Sequence, residues 1–331
     1  MDERATQAIA WARQQLQWPE ASAQVIAGDA SFRRYFRLTE SDQACDSKVI
    51  MDAPPEHESL TQFMDMGERL ARAGLNVPAV QHFDLEQGFA VLDDLGDQPW
   101  HHVLNEDNAD TLFNQAIGAL ITLQRNTDTT GMAPYDAPRL LAELNLFTEW
   151  FLAKHWRVEL SDDEAEQWDL VCATLLRWAI DQPQCFCHRD FMPRNLMISE
   201  PNPAIIDFQD ALVGPLAYDP ICLFLDAFLS WPPPQVDGWL ENYRQRALSA
   251  GLPVPDSAEL WRRSCDLISA QRHLKVIGIF ARIAYRDGKP DYLRDVPRFF
   301  NYLSEAAARN PELRPLTQLI TAWRQRAQRL Q

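Results

Sequence analysis

Lysine is nearly missing from this sequence: among 31 basic residues only Lys48, Lys154, Lys275 and Lys289 are lysines, and arginine supplies the rest. Acidic residues number 47, so the formal net charge is −16. That balance argues against nonspecific attachment to nucleic acid or to an anionic membrane through the whole surface, although a local arginine cluster can still hold an anion inside an acidic protein. No long uncharged apolar run occurs. The most apolar stretch, Leu216 to Trp231, is short and carries Asp219 and Asp226, so it reads as a buried helix and not as a membrane span. The acidic start, Met1-Asp2-Glu3-Arg4-Ala5, does not read as a secretory signal. Cys185, Cys187 and His188 crowd together without a matching second ligand pair, which suits neither a zinc knuckle nor a disulfide scaffold. Reduced cysteines in a cytoplasmic protein are expected instead. Short-period repeats and a disordered linker are also missing.

What is present is ample material for a core. The 331 residues are 46% hydrophobic and 24% charged, enough for one large domain or two ordinary ones. Ala5 to Leu16 reads as an opening helix. Val25-Ile26-Ala27, a tight turn at Gly28-Asp29-Ala30-Ser31, and Tyr35-Phe36-Arg37-Leu38 then read as strand, turn, strand. Small residues at such a turn let backbone amides approach an anion, and Ser31 adds a hydroxyl donor; taken on its own, the turn is better read as a plain hairpin. Lys48 to Met51 is the next strand. Ser59 to Ala73 carries Leu60, Phe63, Met64, Met66 and Leu70 at helical spacing, with Gly74 as C-cap. Phe89 to Leu92 is a strand that runs into Asp93-Asp94-Leu95-Gly96. From about Trp100 the texture turns helical, with apolar stripes at 108–123, 138–154, 162–180, 237–250, 257–285, 293–310 and 314–330. Trp231-Pro232-Pro233-Pro234 is expected to close the buried helix. Trp239, Trp261 and Trp323 read as core or interface residues.

The chemistry concentrates in Cys187-His188-Arg189-Asp190-Phe191-Met192-Pro193-Arg194-Asn195-Leu196 and, shortly after, Ile206-Asp207-Phe208. This order supplies a base candidate in a loop, a neutral oxygen ligand five positions later, and a carboxylate ending a short apolar strand, Pro203 to Ile206. Phosphoryl transfer with bound magnesium uses such parts in kinase-type enzymes: the first aspartate orients the attacking hydroxyl and accepts its proton, and the other two residues hold metal against the phosphates. Asp190 and Arg194 are therefore the catalytic candidates, Asn195 and Asp207 the metal ligands. Arg194 reaches phosphate or shapes the loop. His188 reads as structural. Asp219 reads as an anchor for the loop, because a buried carboxylate needs hydrogen-bond donors.

These motifs resemble the aminoglycoside phosphotransferase and choline kinase family of small-molecule kinases. They depart from the protein-kinase pattern: Asp207-Phe208-Gln209-Asp210 has no glycine after the phenylalanine, no Ala-Pro-Glu signature follows, and Gly214-Pro215-Leu216-Ala217-Tyr218-Asp219-Pro220 comes instead. The resemblance implies an α+β, bilobal, protein-kinase-like fold. A sheet-containing nucleotide-binding N-lobe would span 1–96, and a larger helical C-lobe, 97–331, would carry the catalytic loop, metal site and acceptor pocket. It implies ATP and Mg2+ as cofactors. Gly28, Ala30, Ser31, Phe32, Arg33 and Lys48 would meet the nucleotide phosphates, and Asp93 and Leu95 would lie in the hinge facing adenine. One departure stands out. Met51 and Asp52 occupy the place where a lysine or arginine often stands, and strand alternation sends Lys48, three residues earlier, to the opposite face. Arg33 or Arg34 is the alternative source of charge. A carboxylate of the following helix, Glu58, Asp65 or Glu68, is expected to pair with the basic residue of the Lys48–Met51 strand.

The combination Gly28 to Tyr35, Met51 to Pro55, Ile206 to Ala211 and His273 to Phe280 is further similar to bacterial kinases of cell-wall recycling. That resemblance implies phosphorylation of the anomeric hydroxyl of N-acetylmuramate and N-acetylglucosamine. The sugar 1-phosphates would feed peptidoglycan precursor synthesis and bypass the steps that fosfomycin blocks. Glu143, Asn145, Asp210, Asp226 and Arg272 are acceptor-pocket candidates, each equally explicable as a solvated or packing residue. A kinase for a cationic acceptor such as an aminoglycoside or choline, and a non-catalytic kinase-fold binding protein, are the alternatives. A dense acidic pocket would favour the cationic acceptor, and a mixed polar one the amino sugar. Neither nucleic acid nor stable membrane insertion is expected; protein partners are unspecified.

Overall fold

In the computed structural model, which describes residues 1–26, 32–40 and 46–330, β1 (Ser22–Ile26), β2 (Arg34–Thr39), β3 (Ser47–Asp52), β4 (Val80–Asp84) and β5 (Phe89–Asp93) form an antiparallel sheet in the order β1-β2-β3-β5-β4. Alternation decides its two faces. Phe36, Leu38, Ile50, Phe89 and Val91 share one face and pack on Ala5, Ala8, Ile9 and Ala12 of helix α1 (Glu3–Leu16). Three of those four helix positions are alanine, which lets the helix approach the strands closely. Asp2 caps α1, its carboxylate accepting from Ala5 N.

Helix α2 (Leu60–Arg72) buries Leu60, Phe63, Met66 and Leu70, starts at the N-cap Ser59, and stops where Gly74 takes φ +90°. Phe63 stacks on Phe208 at 5.0 Å. A Cβ on Gly67 would lie 3.3 Å from the Phe208 ring, so the missing side chain is what lets the ring sit there. A short helix, α3 (Trp100–Val103), follows the sheet. The hairpin of β7 (Leu196–Met197) and β8 (Ala204–Ile205) is tied to the same unit: Ile205 N donates to Asn76 O and Ile198 N to Gln98 O. One compact unit therefore comprises Met1–Asn108, Asn126–Asp128 and Arg194–Asp210.

The second unit, Ala109–Arg125, Thr129–Pro193 and Ala211–Gln331, is mainly helical. Its helices are α4 (Ala109–Asn126, whose last residue groups with the first unit), α5 (Ala137–Leu146), α6 (Asp162–Asp181), α7 (Tyr218–Phe224), α8 (Pro233–Ser249), α9 (Ala258–Arg286), α10 (Val296–Arg309) and α11 (Arg314–Leu330). A two-stranded sheet pairs β6 (Gln184–Cys187) with β9 (Leu212–Pro215). The fold is thus bilobal, with a small sheet-based part and a larger helical one. No helix of the described residues is long and apolar enough to cross a membrane.

Three sequence expectations are corrected here. The helix expected over 138–154 is α5 followed by a π-helical segment, Phe147–Trp156. The helix expected from Leu216 to Trp231 exists only as α7. Asp226 ends it, because its carboxylate captures Phe228 N (2.6 Å) and Leu229 N (2.7 Å), donors that a continuing helix would use for itself. The prolines after Trp231 open α8 instead of closing its predecessor: Pro233 and Pro234 occupy the first turn, where a missing N–H is harmless. Trp239, Trp261 and Trp323 are buried, as core tryptophans should be.

Helix α9 is buried nearly all round, and Gly278 is the point of closest approach. A Cβ there would lie 2.4 Å from Leu146 C and 2.5 Å from Phe147 N, at the junction where α-helix becomes π-helix. Neither contact is a flexible side chain, so the backbone itself must move. Gly278→Ala gains about 1 kcal/mol of helix propensity and loses about 3 kcal/mol or more to overpacking. Urea unfolding is expected to show a net loss of about 2 kcal/mol, the difference of those two terms. A variant as stable as the parent would show that the junction relaxes freely.

Candidate active site

Strand β6 delivers His188, Arg189 and Asp190 to the loop that follows it. Its geometry is set by Asp219 at the start of α7, which is 1% exposed and accepts His188 N at 2.8 Å and Arg189 N at 2.9 Å. Burial raises the Asp219 pKa, opposed by His188 and by those two backbone donors. The sequence reading of Asp219 as an anchor matches this contact. Arg189 sits at φ +74°, a left-handed conformation that costs a non-glycine residue about 1–2 kcal/mol. The turn aims consecutive side chains apart: His188 is buried against Phe191, and Asp190 is half-buried. Cys187 and Cys222 flank the loop, but burial raises both thiols, Cys222 to about 12, so neither is a nucleophile.

Arg189 reaches into a group that the sequence reading did not assemble. Its guanidinium meets Glu143 of α5 at 2.5 Å and lies 5.0 Å over the Tyr135 ring. Lys275 of α9 meets the same carboxylate at 3.2 Å and donates to the Tyr218 hydroxyl at 3.2 Å; the Tyr135 hydroxyl also donates to Glu143. Burial works against the Glu143 charge, but Lys275 and Arg189 outweigh it and hold the pKa below the usual carboxylate range. Only the scarcity of lysine marked Lys275 in advance.

Arg194, Asn195 and Asp207 belong to the first unit. Arg194 and Asn195 end the turn Pro193–Asn195, and Arg194 is half-buried. Asp207 follows β8 at φ +62°, exposed, and its carboxylate lies 3.4 Å from Asn195 Nδ2 and accepts from Gln209 Nε2 at 2.9 Å. Among the described residues no cluster of three or more His, Cys, Asp or Glu side chains is arranged for a metal. A carboxylate beside a side-chain amide nevertheless offers hard oxygen donors, which suits magnesium, an ion that keeps waters and takes its other ligands from phosphates. The residues present fit that ion.

The nucleotide candidates separate by face. Gly28, Ala30 and Ser31 lie outside the described residues. Phe32 is exposed and stacks on His57 at 4.2 Å. Lys48 lies opposite Leu38 and Asp93 in the ladder, which puts it on the α1 face, and it pairs with Asp93 at 3.0 Å. It is therefore on the other side of the sheet from Tyr35, Met51 and Ala90, as alternation requires. Gln81 also donates to Asp93, while Asp94 is clamped by Arg37 and Ser47. Leu95 lies half-buried in the turn between Asp94 and Gly96.

Of the acceptor candidates, Glu143 is neutralised by its two cations. Asp226 is 1% exposed and caps two backbone N–H groups. Arg272 is 2% exposed and donates to Cys222 Sγ and Leu225 O, with Asp190 and Asp226 in electrostatic range. Asn145 is half-buried on α5, and Asp210 is exposed at the edge of the first unit.

The family model described as "Phosphotransferase enzyme family" matches residues 22–261. The chain belongs to this family. Two relatives are similar over most of their length. The N-acetylmuramate/N-acetylglucosamine kinase of Pseudomonas aeruginosa is 51% identical, covering 94% of this chain and 91% of the relative. The protein of the same name from Pseudomonas putida is 48% identical, covering 91% and 88%. Among solved structures, an ADP-bound aminoglycoside phosphotransferase matches with a TM-score of 0.60 at 16% identity, over 92% of this chain and 99% of that one. The last similarity speaks for the fold. The phosphotransferase is accordingly a nucleotide-using kinase.

Proposed function

We propose that this phosphotransferase transfers the terminal phosphoryl group of ATP, with Mg2+, to the anomeric (C1) hydroxyl of N-acetylmuramate and N-acetylglucosamine. The observation that carries the reading is the 51% and 48% identity, over more than nine-tenths of the chain, to two kinases named for these sugars. In this reading residues 1–96 serve the nucleotide, and 97–331 carry the catalytic loop, metal site and acceptor pocket. A cytoplasmic location follows from the use of ATP.

Asp190 orients the C1 hydroxyl and accepts its proton. The anomeric hydroxyl is more acidic than other sugar hydroxyls, so a carboxylate is an adequate base, and positioning carries most of the acceleration. Asn195 and Asp207 would hold the metal, whose positive charge would offset that of the phosphates. Arg194, between base and metal ligand, steadies the loop or reaches phosphate. The charge around Glu143 supports a neutral or anionic acceptor over a polycationic one. Two cations to one carboxylate make a poor receptor for an amine.

Phosphorus NMR of reactions containing ATP, magnesium and either sugar tests the reading. A new phosphate coupled to the C1 proton is expected with each sugar. Folded, ATP-binding protein that forms no sugar phosphate would send the search to amines, aminoglycosides and other alcohols.

A further inference from the structure

A nucleotide triphosphate needs a cation from the sheet, and the middle of β3 offers none: Met51 is fully buried between Tyr35 and Ala90. The neighbouring cations are held by other carboxylates. Lys48 and Arg34 lie on the α1 face, holding Asp93 and the buried Asp52 respectively, and Arg37 clamps Asp94. Arg33 differs. It immediately precedes β2, shares the Tyr35 and Met51 face by alternation, and is 8% exposed, with its guanidinium 2.5 Å from Glu58. Tyr35, beside it, hydrogen-bonds to Arg33 and lies in electrostatic range of both Glu58 and Asp207; burial nonetheless pushes its pKa up to about 12. The cation, its carboxylate, this tyrosine and the metal-ligand candidate Asp207 all belong to a single compact unit.

We infer that Arg33 is the phosphate-binding cation of this kinase and that Glu58 is its positioning residue. The inference rests on the reading of the chain as an ATP-using kinase and adds which residues meet the triphosphate. The ion pair stands at the entry to β2, in place of one rooted in the middle of β3. Guanidinium chemistry suits the position. Five N–H donors in a planar fork can hold a carboxylate and phosphate oxygens together, which a lysine does only as a point charge.

Glu58 is well placed to fix that fork. Its own N–H and that of His57 both donate to Pro54 O at 2.9 Å, and Ala53 N donates to Gly88 O at 2.8 Å. Gly88 stands at φ +72°, and a Cβ there would lie 2.0 Å from Ala53 O, so the approach is open to glycine alone. The segment that carries Glu58 is therefore pinned to the turn just before β5, and Ser59 caps α2 immediately after it. A carboxylate fixed at its backbone sets the guanidinium plane before any nucleotide arrives.

The test is calorimetric titration of the full-length protein with Mg-ATP and, separately, with adenosine, which has no phosphates. Arg33→Met alone leaves Glu58 buried without its cation, so the decisive variant is the double substitution Arg33→Met with Glu58→Gln, checked for a wild-type melting temperature. Its ATP affinity is expected to fall at least about tenfold, the loss of a charged hydrogen bond or more, with adenosine affinity unchanged. In assays of transfer, Glu58→Gln is expected to raise the KM for ATP and not that for the acceptor. Adding Glu58→Gln to Arg33→Met should weaken ATP binding no further, because Glu58 acts through Arg33. A folded double variant with the wild-type ratio of ATP to adenosine affinity overturns the assignment. So does a loss produced by Lys48→Met and not by Arg33→Met. Titration needs no acceptor, so a protein that binds ATP through Arg33 yet phosphorylates neither sugar would sink the sugar assignment and leave the pair standing.

Discussion

Asp190→Asn is expected to slow phosphoryl transfer about a thousandfold, within the span that positioned general bases contribute. The substitution keeps the side chain's size and one oxygen, so the loop loses its proton acceptor and little packing. Asp190 is half-buried and lies beyond the two backbone contacts that shape the turn, both of which belong to Asp219. ATP affinity should therefore stay within about twofold, since the groups assigned to the phosphates are elsewhere in the sequence. Single-turnover rates and ATP titration of the same preparation separate the two effects. A transfer rate within tenfold of wild type would remove Asp190 from the role of base.

Asp219→Ala is expected to be the most destabilising single change around the loop. It leaves two buried backbone donors, His188 N and Arg189 N, without an acceptor, at about 1–3 kcal/mol each. Removing a buried carboxylate returns part of that cost, because burial already disfavours its charged form. A net loss of about 3 kcal/mol in urea unfolding is expected from these opposing terms. Arg189, held at positive φ by the same contacts, would relax, and transfer should fall by a larger factor than ATP affinity. Unchanged stability would mean that water replaces the carboxylate and that the loop keeps its shape unaided.

The candidate residues that could be named in advance are those whose chemistry is local. Asp190, Asn195 and Asp207 follow one another at a spacing that few other purposes require, and the paired motif carries its meaning in a single stretch of chain. The α1 and α2 faces were equally legible, since their apolar spacing matches the helix repeat. Glu58 was not. Three carboxylates lie just before or along α2, and choosing among them needs the turn at Pro54 and the position of Arg33, both tertiary facts. The cluster of Glu143, Arg189 and Lys275 escaped for the same reason, its members being drawn from α5, the loop and α9. The π-helical segment left no signal because an apolar, aromatic run satisfies several periods at once. The apolar stretch around α7 recorded burial and not helix length: a single aspartate, by turning back on the chain, ended the helix after Phe224.

The partition of the chain has a consequence for anyone who would cut the gene. Residues 194–210 belong to the same unit as the N-terminal sheet and are joined to it by backbone hydrogen bonds at Asn76 and Gln98. A fragment ending at residue 96 or 108 would keep the five strands and Arg33. It would lose Asn195, Asp207 and the Phe208 ring that fills the space beside Gly67. The half that looks like a portable nucleotide-binding module is thus completed by chain that returns only after the catalytic loop has been made. During synthesis, the candidate metal ligands join the unit that holds the N-terminal sheet late, when the ribosome has already passed Asp190.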